Sequence, residues 1–552
     1  MTLFRPIPRS VTRPLSLAVL LVWAGCMAVL VHRAYVQAAP ANLATDLARY
    51  GPTATWRGVY YRGEKIGFTV SQTIRTDEGF ELQEDARFVT LLGSSSITTI
   101  RTSAFVDSAF ALRAFAFALD PGSGAVEVRG AIEPAGGEYR LRLAITAGGA
   151  TRTEERRLEQ PPATSLNVFR MLASRGLAAG ARYEWSIFDP ATLRNAPMAV
   201  SVGEREIVRT RDGSMPAFRV EMAYLGLTTT SWVTDTGEVI REESPLGLMT
   251  MRETPEQAQG LAVPGNVQQD LLRMSAVVPV MSQRIDDPRA VLRLRLRLEG
   301  LDLPALALDG GGQTAEGPVV ELRDTRTLEP GPADPDLARY LAPEPLIESD
   351  APEIVAETER ALQGVVGARA RAERLTRYVD SLIDKKLTMS LPSALEVLRT
   401  KVGDCNEHTA LYVAMARAAG IPARIAVGLV YVSAAQGAFY YHAWPEVYLD
   451  EGDGRGLWLP VDPTLNQFPA DATHLRLVRG GLDQQAAIVP LIGRLRITVL
   501  ALEVDPRATP VLVGGPPAEL PALAPPLVQR PSACGCDTQP APERAGAPVL
   551  RP

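Results

Sequence analysis

The chain has four cysteines, and only Cys405 lies in its interior. It is the third residue of the stretch GDCNEHTALYVAMARAAGIPAR, residues 403–424. Asp404 and Glu407 stand at N-cap and N3 spacing, a capping box that starts a helix at Cys405. Gly420 ends that helix and Pro422 lies just past it. The cysteine therefore falls in the first helical turn. Unpaired backbone N–H groups and the helix dipole favour an anion there, so the thiol is expected to titrate below its usual range. Asp404 opposes this unless its charge is used by the cap. A thiolate so placed is a nucleophile, and it needs a base and a group to orient that base.

Both occur downstream. AFYYHAWPEVYLD reads as a strand with His442, Trp444, Glu446 and Tyr448 on one face. GLWLPVDPT reads as the next strand, with Trp458, Pro460 and Asp462 on one face. A hairpin turning within residues 450–456 puts His442 and Asp462 opposite or diagonal on the same side. The roles follow: Cys405 as nucleophile, His442 as general base and then acid, Asp462 to fix the imidazole tautomer. The Cys405 N–H is the candidate donor to a tetrahedral oxyanion, and no second donor is assigned. Pro445 has no N–H, so this strand is expected at a sheet edge or bulged.

The same residues have plainer readings. A lone cysteine is more often a buried structural thiol, and a strand histidine often bonds only a backbone group. The in-phase His442 and Asp462 favour catalysis. His408 neighbours Cys405 on the helix but is aimed outward, and is read as packing. A metal site from Cys405, His408, His442 and Asp462 is a minor alternative. His32 and His474 show no supporting neighbours and receive no role. Trp444 is either a wall of the site or a core aromatic.

Three blocks in this order, GDCNEHTALYVAMARAAGIPAR, YHAWPEVYL and WLPVDPT, resemble the transglutaminase-like superfamily, which shares the papain-like cysteine-enzyme fold. The resemblance spans about residues 350–480. It implies an α+β domain whose cysteine helix packs on an antiparallel sheet, and a triad of Cys405, His442 and Asp462. It also implies acyl transfer on a protein or peptide substrate, with no cofactor. Hydrolysis, as a peptidase or amidase, is the expected outcome in an aqueous compartment. A cross-linking transglutaminase and a non-catalytic binding protein are the alternatives. The calcium-site pattern of the animal cross-linking enzymes is missing.

Elements on either side must hold these residues. A chain of 552 residues is too long for one core. The expected fold is multidomain: an N-terminal transmembrane helix, a β-rich antiparallel domain and the α+β domain. The expected divisions are 1–14 cytoplasmic, 15–31 anchor or signal segment, 32–48 linker and 49–260 β-rich domain. There follow 261–345 as a β-containing connector, 346–480 as the catalytic domain, 481–508 as a β segment and 509–552 as a Pro-rich disordered tail. In the β-rich part, KIGFTVSQTI alternates as a strand with one wet face. A curved sheet or half-barrel is expected, serving as scaffold or partner-binding module. VLRLRLRLEG in the connector and LRITVLALE after the catalytic domain read as strands. Ser393 and Glu396 form a second capping box.

The net charge of −6 gives no support for a nucleic-acid partner. Arg5, Arg9 and Arg13 precede an apolar run, Leu15 to Val31, near the lower length of a membrane span. That charge excess puts the N-terminus in the cytoplasm and the bulk of the chain in a bacterial periplasm. A cleaved signal peptide and a lipid-modified Cys26 are alternatives with the same outcome. Cys534 and Cys536 form a CxC, either an oxidised pair or a weak metal site.

Overall fold

The computed structural model describes residues 50–507 except 52, 91–95, 123, 261–275, 301–305, 388–389 and 435–436. The expected membrane segment, His32, Cys26 and the tail cysteines lie outside the described residues. Among the described residues, no helix is long and apolar enough to cross a membrane.

Fourteen strands, from Thr55–Tyr61 to Leu248–Glu253, form one antiparallel sheet. The first strand sits inside it and pairs with both the second and the fourteenth. Two meanders run outward from that centre. The strands carrying Phe115 and Phe188 stand ten positions apart in the sheet order, which would separate them by about 48 Å if it were flat. Their ring centroids are 5.3 Å apart. The sheet is therefore tightly curled, as right-handed strand twist allows. The KIGFTVSQTI strand departs from the one-wet-face expectation. Thr69 on its polar side is buried and receives a hydrogen bond from Arg57 Nε. Thr69, Arg57, Gln83, Glu84 and Glu242 line a polar cavity of about 340 Å³.

The second half of the chain builds a helix-and-sheet unit. Its helices are α1 (Pro352–Ala361), α2 (Ala368–Leu382), α3 (Ala394–Thr400) and α4 (Cys405–Ala418). Its principal strands are β1 (Ala423–Val432), β2 (Ala438–Gly452), β3 (Arg455–Pro460) and β4 (Leu475–Arg479), in the order β3-β2-β1-β4. One core joins Leu375, Val379, Leu411 and Met415 of the helices to Val447 and Leu459 of the sheet. A second joins Leu429, Phe439 and Leu475 to Leu294, Leu296 and Ile497 of a separate four-stranded sheet. In that sheet Val291–Glu299 pairs with Arg496–Val504, so connector and C-terminal strand are neighbours.

The curled sheet touches this unit at α3. Gly148, in a hairpin turn at φ +55°, lies against Leu395, and a Cβ there would come within 2.9 Å of Leu395 Cγ. Leu346 and Leu391 join the curled sheet's core. The expected capping box of α3 is half present. Ser393 Oγ accepts from Glu396 N at 3.3 Å, but the hydroxyl itself donates to Glu348 Oε1 at 2.7 Å. Glu348 Oε2 accepts from Leu395 N, so a carboxylate 47 residues away completes the cap.

Gly428 of β1 pairs with His442 of β2. A Cβ on Gly428 would lie 2.0 Å from the Leu475 carbonyl oxygen, so only glycine lets β4 come this close. Gly428→Ala is expected to destabilise the fold by about 1–3 kcal/mol, since backbone rather than a flexible side chain must move. A lowered thermal midpoint checks this, and an unchanged one refutes the close-approach argument.

Candidate active site

The helix α4 begins as its sequence requires. Asp404 is the N-cap; its side chain accepts from Asn406 N at 3.0 Å, and Glu407 Oε2 accepts from Asp404 N at 2.8 Å. Neither of these bonds uses the Cys405 N–H. Gly420 follows at φ +75°. Ala410 and Ala414 are buried, which gives a slim face for close packing on the sheet.

The expectation of an edge or bulge at Pro445 is not met. The strand β2 is interior, between β1 and β3, and its register with β1 runs unbroken through Pro445. The pairing with β3 stops at Glu446 opposite Pro460. Pro445 faces that end; its carbonyl accepts from Val461 N at 2.9 Å and its missing N–H falls where the ladder has ended. Ala443, two residues back, turns its backbone to the same side. Helix α4 occupies the notch. Thr409 Oγ1 donates to Ala443 O at 3.1 Å, and the Ala443 N–H serves the Cys405 sulfur. Two prolines thus end a ladder, and the cysteine helix docks beside His442.

The hairpin register places Asp462 just beyond β3, diagonal to His442. His442 Nε2 donates to Asp462 Oδ2 at 2.8 Å, and both residues are buried. This fixes the tautomer: Nε2 carries the hydrogen and Nδ1 presents its lone pair. Thr464 N and Leu465 N donate to Asp462 Oδ1 at 2.7 and 2.9 Å. Burial alone would raise the Asp462 carboxyl, but His442 and then His474 hold it well below the usual carboxylate range.

Two expectations fail here. Cys405 was expected to titrate low. Burial first, then the Asp404 carboxylate, push its thiol well above the usual range, against the Ala443 N–H. The cap carboxylate lies next to the sulfur, and the enclosed setting strengthens their repulsion. The residue keeps partial exposure. The other failure is His474, which sequence reasoning left without a role. Its Nε2 lies 3.1 Å from Asp462 Oδ2 and its Nδ1 3.1 Å from Asp471 O. It stacks edge-on to Trp444 at 5.2 Å. The only local signal was Asp471-Ala-Thr-His474, a turn motif in an irregular loop.

His408 is fully buried rather than aimed outward. Its Nδ1 donates to Asp404 O at 2.7 Å, and burial lowers its pKa. The minor alternative of a metal site from Cys405, His408, His442 and Asp462 is not among the clusters of the described residues. Ligating atoms of His442, Asp462 and His474 do lie within 4.8 Å of one another. In this arrangement both histidines donate to the carboxylate.

Burial would lower the pKa of His474, but Asp471 and then Asp462 raise it to about 10. A group raised in the folded state stabilises fully below its unfolded value, near 6.5, and loses that contribution as pH rises through about 10. The thermal midpoint is expected to fall across that window in the native chain and to stay flatter in His474→Gln. Parallel curves would refute it.

Residues 356–463 match the family described as the transglutaminase-like superfamily. No curated protein matches the chain. Among solved structures, a candidate cysteine protease from Cytophaga hutchinsonii is 14% identical, with 39% of this chain and 85% of that one covered and a TM-score of 0.24. A DUF1089 family protein from Pseudomonas aeruginosa is 15% identical, with 32% and 89% covered and a TM-score of 0.21. A candidate protease from Parabacteroides distasonis is 12% identical, with 60% and 63% covered and a TM-score of 0.17.

Proposed function

We propose that the transglutaminase-like domain at residues 356–463 performs acyl transfer at amide bonds through Cys405, His442 and Asp462. The observation that carries this reading is the 2.8 Å bond from His442 Nε2 to Asp462 Oδ2, on a strand whose next residue, Ala443, is bonded by Thr409 of the cysteine helix α4. Nδ1 of His442 takes the thiol proton as sulfur attacks the carbonyl carbon of a peptide or protein amide. The carbonyl electrons move to oxygen, where the Cys405 N–H is the candidate donor. His442 then returns the proton to the departing nitrogen, the C–N bond breaks and a thioester remains. Water as second acceptor regenerates the thiol and releases an acid. A primary amine would give a cross-link instead. Hydrolysis is our first reading, because water is the acceptor at hand in an aqueous compartment.

The enclosed thiol is the one observation that favours a non-catalytic binding protein. Mass spectrometry separates the readings. The chain is incubated with glutamine-containing peptides, with and without a primary amine. A Cys405 acyl adduct that decays to free acid supports hydrolysis, and decay to an amide of the added amine supports transamidation. A Cys405 that never acylates and resists alkylation supports the binding role. We further propose a periplasmic location, anchored by the Leu15–Val31 run. Protease access to the body of the chain in spheroplasts, but not in intact cells, tests it.

A further inference from the structure

We propose that His474 is a positioning residue, a buried imidazolium that shares Asp462 Oδ2 with His442 and supplies positive charge that the carboxylate would otherwise draw from His442. This rests on the thiol-enzyme reading above.

The geometry carries the assignment. Both ring nitrogens of His474 face acceptors: Nε2 meets Asp462 Oδ2 at 3.1 Å, and Nδ1 meets Asp471 O at 3.1 Å and Asp471 Oδ1 at 3.3 Å. A ring nitrogen without hydrogen would turn a lone pair on oxygen, so both nitrogens donate and the ring is charged. At 5% exposure the charge is largely shielded from water. The second anion is itself fixed. Asp471 Oδ1 accepts from Thr473 N and Oγ1, and Oδ2 accepts from Gln467 Nε2. Asp462 Oδ2 is shared by the two histidines, whose ring centroids are 6.0 Å apart.

The other charged and titratable groups around this pair come from every packed element. From α4 they are Asp404, Cys405, Glu407 and His408, with Lys385 beside His408. Further along β2 lies Glu446, paired with Arg424, Arg476 and Arg479. Arg476 and Arg323 line the same pocket as His474 and Asp471, and the Arg326 charge acts on Asp471. Asp471 alone engages the second nitrogen of His474. Without the His474 charge, Asp462 has only His442 to balance it. The thiolate–imidazolium form of the Cys405–His442 pair then becomes easier to reach. Removing this positive charge is thus expected to make the thiol more reactive at low pH, the reverse of ordinary damage to a site.

The test is iodoacetamide alkylation of Cys405 in the full chain, read on the Cys405 peptide between about pH 5 and about pH 9. The variants are His474→Gln, which keeps a donor toward Asp462 without charge, and Asp471→Asn, which removes the anion that holds the second proton. Alkylation below about pH 7 is expected to rise on the order of tenfold in His474→Gln, as expected for loss of one charge at this distance. It should rise in the same direction in Asp471→Asn. The gain should vanish in the His442→Ala, His474→Gln double variant. Profiles that overlay the native one, while His442→Ala alone still slows alkylation, overturn the inference. So does a gain that survives in the double variant, which marks an opened site. A native thiol whose alkylation ignores His442 overturns the proposed function and this inference with it.

Discussion

Asp462→Asn is expected to slow formation of the Cys405 acyl-enzyme by roughly a thousand- to ten-thousand-fold. The substitution preserves volume, so the hairpin persists. The amide cannot accept from both histidines and from Thr464 N and Leu465 N as the carboxylate does. His442 then loses the bond that holds the hydrogen on Nε2, and the lone pair on Nδ1 is no longer assured. Burial and Asp404 push the Cys405 thiol above its usual range, which opposes ionisation without the base. His442→Ala is expected to cost a similar factor, and Cys405→Ala to abolish the adduct. The three losses should not add, since the residues act as one unit. Intact-mass measurement of the adduct against time checks this. Full activity in Asp462→Asn would remove the residue from the mechanism.

Glu446→Ala is expected to destabilise the chain by about 3–5 kcal/mol, the largest effect on stability. Glu446 is 1% exposed and faces three guanidinium groups. Oε1 accepts from Arg476 Nη1 at 2.9 Å, and Oε2 accepts from Arg424 Nε at 2.7 Å and Arg479 Nε at 2.9 Å. Arg424 is stacked 3.8 Å over Trp458, and Arg476 also donates to Asp309 O and Gly310 O. Removing the carboxylate strips Arg476 and Arg479 of this counter-charge in a low-dielectric setting and leaves Arg424 only Asp334, 3.9 Å away. Burial would raise the Glu446 carboxyl, but Arg476, Arg479 and Arg424 hold it at about 2. A group depressed in the folded state stabilises above its unfolded value, near 4.5, and loses that as pH falls through about 2. Urea unfolding near neutral pH is expected to show the full loss in Glu446→Ala. The gap should narrow on acidification toward pH 2. An undiminished gap would assign the loss to packing instead.

Much of the site was legible because its signals are local. The capping box at Asp404 and Glu407, the stop at Gly420 and the alternation through His442, Trp444 and Glu446 each follow from backbone hydrogen bonding over a few residues. The diagonal placement of Asp462 needed only a hairpin, the shortest-range pairing a sheet can make. Pro445 was misplaced because a missing donor forbids a ladder bond on one side only. Which side that is depends on where the neighbouring strand ends.

What the sequence by itself determined, then, is a cysteine helix, a hairpin that presents a histidine and an aspartate, and a β-rich region before them. Tertiary structure decided three other things. It paired Val291–Glu299 with Arg496–Val504, strands nearly two hundred residues apart in the chain. It brought His474 to Asp462, and it raised the thiol that the helix dipole alone would have lowered. The physical reason is common to all three. Pairing across a long loop is chosen by the apolar surface that closes over it, and a pKa is set by the dielectric and charges that closure creates. Neither is written in the spacing of neighbouring residues.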